Sequence, residues 1–372
     1  MGRLAQVLGI GVRGQAEIEV PKREFYAGEF VFGQVKLLLK EPLETEGFEL
    51  SLTGTERLSW HHQSGKHSHY HKLKHEFFKQ EIALLPATQL QPREAIFPFQ
   101  FQLPPNLPGS FGIYRRHMQH SISRVTSRII YKLSAKLKVK GMLTANIGDK
   151  TLLAVYALPI PPLQPPHPIE DATRRDVYLL CCFNQGPCQI TGETSSNVVD
   201  MANGIIRMHA TIQNDSKSHI QAVYVQVLQD LIIHIPDNFS HGGLRRMNSR
   251  LIHQQQFPGV PPGTTSENFT TDLSMAQIIV NLPSLGQQSD PFGDMLKINQ
   301  TQVYTPPPLL PSTDFVFVSI GYHISVRCSF SWCSDIILEF PLHVLLPPLT
   351  VMVPQPQVYV KPHDAIQVSD VE

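Results

Sequence analysis

The sequence predicts an all-β protein built as two tandem antiparallel immunoglobulin-like β-sandwiches. Three observations carry this. Apolar side chains recur with period two in both halves, no stretch of three or more turns shows a helical period, and 31 prolines and 23 glycines among 372 residues cut the chain into short segments. With 42% hydrophobic and 17% charged residues, the composition supports a packed core and excludes global disorder.

The alternation is legible strand by strand. Ala16, Ile18 and Val20 alternate with Glu17 and Glu19, and Val31, Gly33, Val35, Leu37 and Leu39 alternate with Gln34, Lys36 and Lys40. Phe48, Leu50 and Leu52 follow the same rule. The clearest stripe is Ile129, Tyr131, Leu133, Ala135, Leu137 and Val139 against Lys132, Ser134, Lys136, Lys138 and Lys140. Such a pattern turns one face to a core and the other to water. Later come Ile206 to Ile212, Val223 to Val227, the long stripe Val316 to Cys328, and Ile336 to Val344.

Between the halves, residues 158–168 hold six prolines in eleven residues, an extended and semi-rigid connector. The expected division is a first sandwich over 1–157, a Pro-rich linker over 158–176, a second sandwich over 177–350 and a short tail over 351–372. Residues 236–266, with Gly242-Gly243, three glutamines and Pro261-Pro262-Gly263, read as a long loop inside the second unit.

Charge follows the same division. Lysine plus arginine equal aspartate plus glutamate at 31 each, so no global charge calls for nucleic acid. Residues 1–157 carry 21 Lys/Arg against 13 Asp/Glu, a balance of +8, and residues 158–372 carry 10 against 18, a balance of −8. The first unit is the one suited to an anionic partner. No apolar run reaches a membrane span, since the most hydrophobic stretch, 336–353, is broken by Glu339, Pro341, His343 and Pro347-Pro348. Five bunched cysteines, an odd number without Cys-x-x-Cys spacing, fit reduced thiols packed in a core. The expectation is a cytoplasmic protein that is not transmembrane.

The residues also carry a family resemblance. Tyr26-Ala-Gly-Glu29, Val31-x-Gly33-x-Val35, Leu50-x-Leu52-x-Gly54 and Trp60 look like the opening of an arrestin-type amino-terminal domain. Phe97-Pro-Phe-x-Phe101-x-Leu103-Pro104, Leu107-Pro108-x-Ser110-Phe111 and the Ile130-Tyr131-x-Leu133-x-Ala135 strand are similar to the α-arrestins, the arrestin-domain-containing proteins. Cys181-Cys182-Phe183, Ile212-x-Asn214-x-Ser216 and Phe340-Pro341-Leu342 resemble their carboxy-terminal domain. Two features depart from the family. Residues 198–204 replace its usual Tyr-x-x-Gly-Glu turn, and no Pro-Pro-x-Tyr motif for ubiquitin-ligase recruitment is present.

The resemblance implies a non-catalytic adaptor or scaffold in membrane-protein trafficking, peripherally recruited to plasma membrane or endosomes. Its implied partners are membrane-protein cargo or receptor tails, trafficking or ubiquitin-ligase machinery, and anionic lipid headgroups. It implies no cofactor. No nucleophile elbow, phosphate-binding Gly-rich loop, His-Glu-x-x-His helix or Ser-x-x-Lys set argues for an enzyme.

Two local patterns stand out. Six histidines fall within residues 61–75, and His67-x-His69-x-His71 would set three imidazoles on one side of a strand, a pattern that suits a metal or a pH response. A solvated hairpin loop accounts for the same residues. The second pattern is Lys132, Lys136, Lys138 and Lys140, preceded by Arg115, Arg116, Arg124 and Arg128. Four ammonium groups on one strand face repel one another, and an anionic partner would relieve them. A solvated, aggregation-resistant face is the plainer account. Two rival functions remain open: a retromer-type sorting-complex subunit, and a metal- or pH-sensing protein built on the His-rich stretch.

Overall fold

The computed structural model describes residues 13–117, 122–141, 146–158, 165–180, 182–239, 243–281, 297–298, 302–303 and 309–346. The strands up to residue 156 are β1 (Gly14–Glu19), β2 (Glu24–Tyr26), β3 (Phe30–Leu39), β4 (Leu43–Ser64), β5 (His67–Leu85), β6 (Thr88–Leu90), β7 (Arg93–Gln102), β8 (Phe111–His117), β9 (Ile122–Val139) and β10 (Ile147–Tyr156). They make two sheets. One is β1-β3-β7; the other has the spine β2-β10-β9-β4-β5, with β6 added to β4 and β8 to β9.

The strands from residue 169 onward are β11 (Ile169–Leu179), β12 (Phe183–Thr194), β13 (Val198–Asp200), β14 (Ile205–Asn214), β15 (Ile220–Ile235), β16 (Gly243–Val260), β17 (Thr264–Ser274), β18 (Lys297–Ile298), β19 (Gln302–Val303), β20 (Thr313–Asp314), β21 (Val318–Phe330) and β22 (Ile336–Leu345). They form β11-β12-β14-β17 and β13-β22-β21-β15-β16, with β20 on β21 and a separate β18-β19 ribbon. Pairing is antiparallel except where β2 joins β10 and β13 joins β22. The one helix among the described residues is α1 (Met275–Val280). Among the described residues no helix is long and apolar enough to cross a membrane.

The period-two stripes become the core. On β9 the buried residues run Ile129, Tyr131, Leu133, Ala135 and Leu137, and on β4 they include Phe48, Leu50, Leu52, Leu58 and Trp60. Gly54 continues that inner row because Phe77 and Tyr131 fill the space beside it: a Cβ there would lie 2.6 Å from the Phe77 ring. Tyr131 also donates from its hydroxyl to the Pro108 carbonyl at 2.6 Å. In the second half, Asn214 is wholly buried, and its amide donates to the Ser218 and Val260 carbonyls while Ser216 donates back to its Oδ1. A buried amide must be satisfied in this way, which gives the Asn214-x-Ser216 spacing its structural purpose.

Four expectations need correction or trimming. The loop expected over 236–266 is instead occupied by β16 and the start of β17. Pro258 is tolerated because β16 is an edge strand, and Pro261-Pro262-Gly263 is the turn between β16 and β17, with Gly263 at φ +67°. Strand β11 begins at Ile169, inside the stretch assigned to the linker, immediately after Pro168, where the chain regains backbone donors. Val316 does not open the long strand; it sits in the turn before β21. Of the clustered cysteines, Cys188 and Cys328 are buried as expected, but Cys182 is exposed in the turn between β11 and β12, and Cys181 lies outside the described residues.

Candidate binding face

Strand β9 lies between β4 and β10, and its alternation turns Arg128, Lys132, Lys136 and Lys138 away from the core. The structure divides the lysine stripe. Lys138 Nζ is 2.5 Å from Glu49 Oε1, and Lys140 Nζ is 2.8 Å from Glu44 Oε1, so both are neutralised by acids on β4. Lys136 is exposed and Lys132 half-buried, and among the described residues no carboxylate comes within ion-pair distance of either. Arg115 and Arg116 belong to β8, but their side chains lie outside the described residues.

Register brings in cations that strand-by-strand reading does not connect. Arg128 on β9 stands directly opposite Arg57 on β4, and Arg57 stands directly opposite Lys74 on β5. Three positive side chains therefore form one row across three strands. Like charges set opposite each other in a sheet are destabilising. Lys74 is relieved by Glu76 at 3.2 Å. The two arginines are not relieved: the Nε atoms of Arg57 and Arg128 are both buried and lack a hydrogen-bond partner. Burial, and then Arg57 beside it, lowers the pKa of the Arg128 guanidinium. Burial, followed by Lys150, Arg57 and Lys74, likewise pulls the Lys132 ammonium below its ordinary range. A sequence signal for this patch exists, since no Asp or Glu occurs from residue 95 to residue 148.

Beyond this row, β4 and β5 run on as a long hairpin ribbon that closes at Gly65-Lys66, with β9 still paired to β4 as far as His62 opposite Ile122. Its histidines are strand residues rather than loop residues. His67 faces Ser64, His69 faces His62 and His71 faces Trp60 across the ribbon. His71 stacks on Trp60 at 5.1 Å and meets the Phe239 ring edge-on at 5.2 Å. Burial lowers its pKa, with His62 and His69 adding to the effect. Among the described residues no three His, Cys, Asp or Glu side chains are grouped so as to hold a metal ion.

Under the same ribbon lies a contact between residues far apart in sequence. Glu56, on the core side of β4 and 2% exposed, accepts hydrogen bonds from the backbone N–H of Val316 at 3.1 Å and of Phe317 at 2.8 Å. Phe315 stacks on Phe111 at 5.5 Å, and Phe317 meets His75 edge-on. Burial raises the pKa of the Glu56 carboxyl, against the pull of those amides and of His75 opposite. The turn between β20 and β21 is thus plugged into the first pair of sheets.

A family model described as arrestin (or S-antigen), N-terminal domain, matches residues 15–142. A comparison with curated proteins finds no match. The matched span runs from β1 through β9 and contains the cationic row, the ribbon and Glu56. The fold is all-β and arrestin-like, and the match to the arrestin N-terminal domain covers residues 15–142 of its first two sheets.

Proposed function

We propose that the chain is a non-catalytic adaptor in membrane-protein trafficking, composed of two arrestin-like sandwiches, the second beginning with β11 at Ile169. The cationic face of the first sandwich would draw in acidic segments of membrane-protein cargo. The observation that carries this reading is the face itself: Arg57, Arg128, Lys132 and Lys136, all within the arrestin-type match, and Lys150 on the neighbouring β10 have no carboxylate paired to any of them among the described residues. A cationic face of this kind raises the local concentration of anionic partners and speeds their encounter. Recruitment from the cytoplasm to plasma membrane or endosomes follows from the cargo.

The test is proximity labelling in cells, with wild type compared to Lys132→Glu/Lys136→Glu. Trafficking proteins and membrane cargo should surround the wild type and be lost from the variant. A wild-type neighbourhood without trafficking proteins overturns the adaptor reading. Co-purification at fixed stoichiometry with one set of sorting subunits would replace it with the retromer-type alternative. The metal- or pH-sensing alternative is less well supported, because His71 is already committed to stacking against Trp60 and Phe239.

A further inference from the structure

We propose that Cys188 and Cys328 are a redox pair: oxidation by hydrogen peroxide joins them in a disulfide that links the two sheets of the second sandwich. The site goes beyond the adaptor reading and does not depend on it.

The fold alone brings the two thiols together. Cys188 lies on β12 and Cys328 on β21, strands of the two sheets that share the second core, and both side chains are wholly buried. Across that core they are within hydrogen-bond reach, with the Cys328 S–H donating to the Cys188 sulfur. Each strand is interior to its sheet, so both positions are held from two sides. Cys188 stands between Arg175 on β11 and the buried Asn214 on β14, and Cys328 stands between Val223 on β15 and Ile336 on β22. At the adjoining end of the sandwich the sheets are already tied. Leu179 pairs with Cys333 there, and the Leu180 N–H donates to the Trp332 carbonyl at 3.0 Å. A disulfide between two packed sheets is the arrangement found in antibody domains.

The shared proton makes the two sulfurs unequal. The hydrogen bond from Cys328, working against burial, holds the Cys188 thiol below its ordinary range, whereas the same bond and then burial push Cys328 up. Thiolate is the reactive form, so Cys188 attacks first. Its sulfur takes one oxygen of the peroxide, the O–O bond breaks, and hydroxide leaves and picks up the Cys188 proton as water. Cys188 is then a sulfenic acid. The Cys328 sulfur attacks that sulfur, the S–O bond breaks, and the Cys328 proton leaves with the hydroxyl as a second water. The two thiols give up two electrons, and the peroxide takes them. Burial selects the oxidant, because a small uncharged peroxide can enter a core that is closed to a bulky peptide disulfide such as oxidised glutathione. Cys182, exposed in its turn, and Cys333, which contacts Ser218 at 3.7 Å, lie outside the pair.

The test is peptide mapping of the full chain after a small excess of hydrogen peroxide, alkylation of the remaining thiols on unfolding, and digestion without reductant. The expected product is the Cys188 and Cys328 peptides joined and lighter by two hydrogens, and dithiothreitol should restore both thiols. The bond closes the long loop between residues 188 and 328. Oxidation should therefore raise the unfolding temperature by about 5–15 °C in wild type and in Cys182→Ser, but not in Cys188→Ala or Cys328→Ala. Oxidised glutathione in place of peroxide should leave the pair reduced. Both thiols still open to alkylation after peroxide, sulfinic acid at Cys188 in place of the cross-link, or a cross-link through Cys182 or Cys333 overturns the pair. Reaction of Cys188 with oxidised glutathione overturns the assignment of the oxidant. The map needs only wild type, so it decides the matter whether or not the alanine variants fold. Because purified protein is used without cargo, failure here leaves the cell-based test of the adaptor untouched.

Discussion

The outer faces of the two largest sheets make an instructive pair. On the sheet β13-β22-β21-β15-β16, the polar side chains turned from the core satisfy one another. His323 Nδ1 lies 2.8 Å from Asp230 Oδ2, Ser249 donates to the other oxygen of Asp230, Gln226 donates to Gln254 at 2.6 Å, and Arg327 lies 2.7 Å from Asp335. On the sheet β2-β10-β9-β4-β5, Arg57 and Arg128 face each other with no acid between them. The first face holds its charges in closed pairs, whereas the second combines closed pairs, such as Lys138 with Glu49 and Lys74 with Glu76, with two arginines set opposite each other. Closed pairs contribute to the fold, whereas open like charges are retained at a cost to it, which is the mark of a surface kept for a partner.

Mutations should separate the two faces by sign as well as size. The largest loss is expected for Asp230→Ala, which strands His323 and Ser249 without their acceptor in a buried setting; about 2–4 kcal/mol should appear in denaturant unfolding. A stability change below about 1 kcal/mol would show that this network is not structural.

Glu56→Ala comes next, at about 2–3 kcal/mol, because the Val316 and Phe317 amides lose their acceptor. Its pH dependence has a definite sign. The Glu56 pKa is raised in the folded state, so the stabilisation linked to its proton is present at acid pH and fades as pH rises through that raised value. Glu56→Gln, which resembles the protonated form, should therefore differ least from wild type in acid and gain on it toward neutral pH, as read by unfolding temperature. A gap that widens on acidification would contradict the burial argument.

Smaller still, and opposite in sign, Arg57→Gln should stabilise by up to about 1 kcal/mol by relieving Arg128. The smallest effect is expected at Lys140→Ala. Its exposed pair with Glu44 should contribute little to stability, and that little should vanish at high salt.

What the sequence disclosed follows from the range of each interaction. The β9 stripe and the inner row of β4 were readable because alternation is a local property of a strand. The extent of β16 was not, since glycines, glutamines and prolines obscure the period of an edge strand. The lysine stripe was visible, yet its division into paired and unpaired members depends on Glu44 and Glu49, almost a hundred residues away. The Arg57–Arg128 row depends on register between strands about seventy residues apart, which no pattern on either strand encodes. The part played by Glu56 depends on partners at 316 and 317, some 260 residues away, which no local pattern encodes.

That last separation has a consequence in time. The acceptor at Glu56 and the donor at Phe317 are 261 residues apart. At a synthesis rate of about 5–20 residues per second, roughly 13–50 s pass between making the carboxylate and making the amides that seat on it. During that interval the first sheets can fold with Glu56 in water, as an acid with no burial to endure. Only when the turn between β20 and β21 emerges must the carboxylate give up its hydration. The plug is a late event on the ribosome, and a chain stalled before residue 316 would present the first sheets with the Glu56 socket still open.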